Sequence, residues 1–196
     1  MDTGAGHIGS RVHMALTATI YKLDIELADI DRGVYESFTL PVARQPSETA
    51  EYMLTRVLAY CLEYAEGIAL TEGIAAGDEP AVVVRDLTGR VTTWIDVGMP
   101  DAARIHRASK LARRVAVYTH RDPAQLLAQW SGGRIHNVGD IPVYAFDRAL
   151  VEEVAARLER RSSLSLSVTE RELYLELDGQ TFSTTITEHR AEGARA

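Results

Sequence analysis

Cysteine is nearly missing from this chain: Cys61 stands alone among 196 residues. One thiol closes no internal disulfide and builds no intrachain thiolate zinc cluster. Set among Leu58, Leu62 and Tyr64 at helical spacing, it reads as a small core residue. Lysine is almost as scarce. All but two of the 21 basic residues are arginine, so any chemistry that needs an ammonium must use Lys22 or Lys110. No apolar run approaches the roughly 20 residues a membrane-spanning helix requires, which excludes a helical membrane protein. Aromatics are 7% of the chain and ungrouped, so they form no base-stacking platform. A P-loop, a Rossmann glycine turn and a GxSxG elbow are all absent. The net charge of −7 argues against general adhesion to nucleic acid but leaves room for a local basic patch. No leader sequence is visible, so the cytoplasm is the expected compartment.

What is present suffices for one domain. Hydrophobic residues are 46% and charged residues 25%, ordinary values for a globular chain. Residues 1–13 are small, glycine-rich and aperiodic, and read as a flexible extension, with Met14 an alternative start. The single domain is expected over 14–190, with a disordered tail over 191–196. Alternation over 16–26 and again over 34–42, with ADIDRG between, predicts a hairpin. Ser47 is the expected N-cap of a helix running to about Gly67, with Met53, Leu54, Val57, Leu58, Cys61 and Leu62 on its apolar face. A second hairpin follows, AVVVRD and VTTWIDVG around LTGR. From 91 to 147 the pattern is strand, helix, strand, helix, strand, which implies parallel crossovers. A charged helix or turn over RALVEEVAARLERR precedes three expected antiparallel strands, with Asp178-Gly179 as a hairpin turn. These strands are expected to join the first hairpin in an added antiparallel sheet.

One stretch stands out, TTWIDVGMPD at 92–101. Asp96 sits in a run that otherwise reads as a buried strand, and burying a carboxylate costs several kcal/mol unless a partner offsets it. Trp94, Asp96 and Gly98 share one face of that strand, Ile95 and Val97 the other. Asp78 and Glu79 lie in the turn before the preceding strand, and Glu48 in the expected first turn of the long helix. Carboxylates converging on one point invite a divalent cation, Mg²⁺ or Mn²⁺. Each acid also has an ordinary reading: Glu48 favours a helix N-terminus, Asp78 suits a turn, and Asp96 can pair with an arginine of the next helix. That helix carries Arg104, Arg107 and Lys110 on one face. With Arg113, Arg114 and Arg121 they place six basic residues within 18 positions, either a solvated face or a phosphate-binding flank. His106 reads as a surface residue, and the other histidines lack metal-ligand spacing.

Beyond these patterns, the chain resembles the YaeQ family of small bacterial proteins. The stretches that carry the resemblance are MALTATIYKLDIELADIDRGVYESFTLPVARQPSET, LAYCLEYAEGIALTEGIAAGDEPAVVVRD, WIDVGMPDAARIHRASK, VAVYTH and AQLLAQW, spanning Met14 to about Glu188. The resemblance implies a variant of the restriction-endonuclease-like fold, a mixed α+β or α/β architecture with a mixed sheet flanked by helices. It also implies a PD-(D/E)xK site, in which Asp78 and Asp96 hold Mg²⁺ or Mn²⁺ and Glu48 is the added helix acid. Gly98 occupies the place of the motif lysine, so Lys110, with Arg107 second, is the basic group this mapping selects. Two functional classes follow. One is a metal-dependent nuclease using Asp78, Asp96, Glu48, Lys110 and Arg107. The other is a catalytically degenerate module that binds nucleic acid or protein, with the acids as salt-bridge partners. The nucleic-acid contacts would come from Arg104, Arg107, Lys110, Arg113, Arg114 and Arg121.

Overall fold

The computed structural model describes residues 17–72 and 77–191. The expected extension over 1–13 lies outside the described residues, as does the expected tail apart from Ala191, which packs against a core. The first hairpin is β1 (Thr19–Asp29) and β2 (Val34–Arg44), paired antiparallel along their whole length. Helix α1 (Ala50–Leu62) follows. The next strands are β3 (Ile68–Leu70), β4 (Val82–Arg85) and β5 (Val91–Val97). Then come α2 (Ala102–Leu111), β6 (Arg114–Thr119), α3 (Pro123–Trp130), β7 (Val143–Ala145) and α4 (Arg148–Arg157). The chain finishes with β8 (Arg161–Thr169), β9 (Glu172–Leu177), β10 (Gln180–Thr185) and β11 (Thr187–His189).

These strands form two mixed sheets. The first has the order β10-β9-β8-β1-β2 and the second β11-β7-β6-β5-β4-β3. The expected alternation holds in the second sheet, where β5, β6 and β7 are parallel neighbours joined through α2 and α3. The added sheet departs from the expectation of a purely antiparallel one. Strand β8 lies parallel to β1, with Leu164 opposite Ile25 and Leu166 opposite Leu27. The intervening chain passes through β2 and then β3 to β7 of the second sheet before it returns, and that long crossover permits a parallel pairing. Strand β11 leaves the first sheet and pairs with β7 in the second, so the tail strands tie both sheets together.

The elements stack in four layers: first sheet, α1 with α4, second sheet, then α2 with α3. The inner faces of β1, β8 and β9 supply Leu23, Ile25, Leu164, Leu166 and Leu175 to a core around α1. Helix α1 buries residues on all sides, including Met53, Leu54, Val57, Leu58 and Cys61, as a helix between two sheets must. Burial pushes the Cys61 thiol up to about 12, so it stays protonated as a small apolar filler. Across the second sheet, Trp94, Val115 and Val117 meet Ile105 and Ala108 of α2 and Leu126 and Trp130 of α3. The expected division holds for the strand residues of β5, with Ile95 and Val97 facing α1 and Trp94 and Asp96 the other side, whereas at Gly98, just past the strand, an added Cβ would meet Tyr52 of α1.

Local start signals explain the helix ends, with one correction. Asp101 and Asp122 cap α2 and α3, and Pro123 takes the first turn of α3. Helix α1 is capped by Thr49, whose hydroxyl accepts from Tyr52 N, and not by Ser47. Residues 45–48 form a turn of their own, closed by Glu48 N donating to Gln45 O, and this delays the helix by two residues. Strand β3, unmarked in the sequence, begins immediately after Gly67. That glycine has φ of +80°, and a Cβ there would stand 2.0 Å from the Arg85 carbonyl oxygen. Gly67→Ala is expected to destabilise the protein by about 2 kcal/mol or more through left-handed strain and that collision. Urea unfolding of the two proteins checks it.

Candidate functional site

Asp96 is 2% exposed, and both of its oxygens are occupied. Arg104 donates from Nη2 to Oδ1 at 2.8 Å and from Nε to Oδ2 at 2.9 Å, a two-pronged contact that only a planar guanidinium can make. The Trp94 indole N–H adds a third bond to Oδ2 at 2.9 Å. Arg104 also lies over the Trp94 ring, 5.8 Å from its centre. Its remaining donors reach outward, from Nη1 to Gly77 O at 2.7 Å and from Nη2 to Glu79 O. One arginine thus ties the end of β5, the start of α2 and the 77–79 turn into a single unit.

The other predicted acids are also paired with arginine. Glu48 lies one residue before the α1 cap, not in the first turn. Its carboxylate accepts from Arg56 Nη1 at 2.7 Å and from Gln45 N at 3.1 Å. Both side chains of this pair are fully buried. Asp78 is exposed and bonded to Arg107. The structure brings Asp78 and Asp96 together at one end of α2, since Arg107 lies one turn beyond Arg104. Tyr52 is within reach of the charges of both the Asp96 and the Glu48 pairs. Burial, with the Asp96 charge adding to it, pushes its phenol up to about 12.

The basic group of the proposed motif is separated from these acids. Lys110 is exposed in the last turn of α2 and has no side-chain partner among the described residues. Six residues at the helical rise place it about 9 Å along the axis from Arg104. The position two beyond Asp96 does not suit a lysine either. Gly98 has φ of +86°, and a Cβ there would sit 3.3 Å from the Tyr52 ring. A divalent cation fits this donor set poorly. Its place beside Asp96 is held by a guanidinium that also serves as a structural tie. Among the described residues, no three Asp, Glu, His or Cys side chains are gathered as metal ligands.

The six basic residues divide as well. Arg104, Arg107 and Arg114 are spent on Asp96, Asp78 and Glu63. Lys110, Arg113 and Arg121 are exposed without side-chain partners among the described residues. Arg113 and Arg121 flank opposite ends of β6, whose six residues alone span about 20 Å at the strand rise. His106, expected at the surface, is half-buried, with Nδ1 lacking a hydrogen-bond partner among the described residues. One residue that spacing did not mark is His120. It is 6% exposed, and its Nδ1 lies 2.9 Å from Thr55 Oγ1. The signal that could have found it is its place at the carboxyl end of a parallel strand, directly before the Asp122-Pro123 helix start.

Comparison with known proteins agrees with the fold. The family model described as "YaeQ protein" matches residues 14–186. The chain is 34% identical over 176 residues to "Uncharacterized protein YaeQ" of Escherichia coli strain K12, covering 89% of this chain and 97% of that one. The Salmonella typhi protein of the same description is 31% identical over 163 residues, covering 83% and 90%. The crystal structure of YaeQ protein from Pseudomonas syringae superposes with a TM-score of 0.83 at 31% identity, over 89% of this chain and 97% of that one. The structure from Xanthomonas axonopodis pv. citri gives 0.77 at 25% identity, over 90% and 100%.

Removing Arg104 leaves a lone buried charge. Arg104→Met is therefore expected to cost about 3 kcal/mol of stability. The double change Asp96→Leu with Arg104→Met is expected to recover most of that loss, because no orphan carboxylate remains. Urea midpoints of the single and double variants, read as a cycle, test the pair.

Proposed function

The chain belongs to the YaeQ family, and we propose that it works as a non-catalytic binding module in which the acids at the end of β5 are structural. The observation that carries this reading is the saturation of Asp96 by Arg104 and Trp94. We read the second sheet, with α1 on one face and α2 and α3 on the other, as a restriction-endonuclease-like frame. On this reading its metal positions have been taken over by guanidinium groups. The scarcity of lysine fits the same picture, since arginine makes paired bonds to carboxylates and a poor activator of water.

We assign the partner as protein in preference to nucleic acid. A strand-tracking site needs a continuous basic groove, whereas here half of the basic cluster is neutralised internally and the rest is divided between the two ends of β6. The net charge of −7 adds general repulsion.

Calorimetry with Mn²⁺ tests the reading without any guess about a substrate. Neither the wild type nor Asp96→Asn is expected to give saturable heat up to millimolar metal. Saturable binding to the wild type that disappears in the variant would overturn the proposal. It would restore a metal-dependent phosphodiesterase with Asp78, Asp96 and Glu48 as ligands and Lys110 or Arg107 as the basic group.

A further inference from the structure

A crevice of about 610 Å³ opens at the carboxyl ends of β6 and β7, lined by His120, Arg121, Phe146, Asp147, Arg148 and Thr184 and by none of the Asp96 cluster. Its origin is topological. Strands β6 and β7 are parallel neighbours, but the chain leaves them toward opposite faces of the sheet. After β6 it enters α3, whose Leu126 and Trp130 pack on the Trp94 side; after β7 it enters α4, whose Val151 and Val154 pack on the α1 side. Diverging connections leave a gap at the strand ends, the place where open α/β sheets hold small ligands.

The gap contains one buried side chain with an unused polar atom. Thr55 donates its hydroxyl hydrogen to the Glu51 carbonyl at 2.7 Å, the bond that commits its proton. Toward His120 the hydroxyl must therefore accept, so the imidazole carries its hydrogen on Nδ1 and its lone pair on Nε2. No group among the described residues bonds to Nε2, and it is not among the solvent-sealed orphan atoms, so it is open to solvent in a residue that lines the crevice. Burial, with the charge of Arg121 next, holds the imidazole below its usual range and keeps that lone pair available at neutral pH. An acceptor of this kind needs a donor from the ligand.

Glu51 and Glu152 also act on His120, each less strongly than Arg121 does, so the dominant charge acting on the imidazole is a cation. Arg121 lines the same wall, is exposed and has no side-chain partner among the described residues. The first turn of α4 points here as well. The acids on the rim are committed to caps: Asp122 accepts from Ala124 N at 2.9 Å, and Asp147 from Leu150 N at 2.8 Å. Arg148 is paired with Glu152.

We propose that this crevice binds a small phosphate compound that carries a hydroxyl proton, with His120 Nε2 accepting from the hydroxyl and Arg121 holding the anionic oxygens. The acceptor makes the site selective. Hydrogen phosphate has a proton to give and sulfate has none, so sulfate leaves the lone pair unsatisfied.

The test is a titration of the full ¹⁵N-labelled chain at pH 7.5 and constant ionic strength, first with inorganic phosphate and then with sulfate. The imidazole nitrogens are followed by long-range ¹H–¹⁵N correlation and assigned with His120→Gln. The free protein is expected to show the Nδ1–H tautomer at His120. Phosphate is expected to shift the Nε2 resonance saturably, at least tenfold more tightly than sulfate. Arg121→Ala, at an exposed position that leaves folding intact, is expected to weaken phosphate at least fivefold. An Nε2–H tautomer, equal response to the two anions, no response to either, or an unchanged affinity in Arg121→Ala would each overturn the proposal. None of these outcomes bears on Mn²⁺ binding at Asp96.

Discussion

Arg56 is the constraint on which the rest of the architecture depends. Its guanidinium lies fully buried in the middle of α1 and is neutralised by Glu48 at 2.7 Å. The same group donates to Ala43 O at the end of β2 and to Thr71 O just beyond β3. One side chain therefore spans the first sheet, the central helix and the second sheet. A cation buried so deeply is tolerated because a counter-charge and fixed acceptors meet its two terminal nitrogens, while Nε has no partner among the described residues. Each sheet and the helix must thus stand in one position relative to the others for the charge to be satisfied. Hydrophobic burial supplies the driving force for collapse, whereas the Arg56 set selects one arrangement of the collapsed layers.

The Arg104–Asp96 pair repeats this logic on the other side of the second sheet. There the guanidinium joins a strand end, a helix start and a distant turn. The Arg114–Glu63 pair, with Tyr118 donating to the same carboxylate at 2.8 Å, ties the end of α1 to β6. A chain with two lysines and many arginines is suited to this construction, because a fork of five donors can serve a carboxylate and several carbonyls at once. The carboxylates that look from the sequence like a metal constellation act as the counter-charges of this framework. His120, bonded to Thr55, and Arg121 lie outside this framework at the end of β6.

Much of the second sheet was legible because its signals are local. The β5–α2–β6–α3–β7 alternation, the Asp101 and Asp122 caps, and the opposite faces of Trp94 and Ile95 all follow from short-range periodicity and capping chemistry. The errors over the strands share one cause, which is distance along the chain. Strand β3 is three residues long and is held by pairing with β4. The parallel contact of β1 with β8 joins segments well over a hundred residues apart. Ser47 and Thr49 offer the same hydroxyl, and the Gln45–Glu48 turn, secured by Arg56, decides between them.

Short-range information in the chain was enough for the family, the elements around β5 to β7, the lack of any internal disulfide or intrachain thiolate zinc cluster, and the unusual burial of Asp96. It sufficed because periodicity, composition and residue type act within a few positions. What Asp96 faces depends on the closed fold. Arg104 is eight residues away and Asp78 is paired 29 residues downstream, and the sequence offered several arginines of equal chemistry. The same holds for His120, whose free nitrogen is defined by a threonine 65 positions earlier. A side chain's partner is set by how sheets and helices close on one another, and that closure is a property of the whole chain.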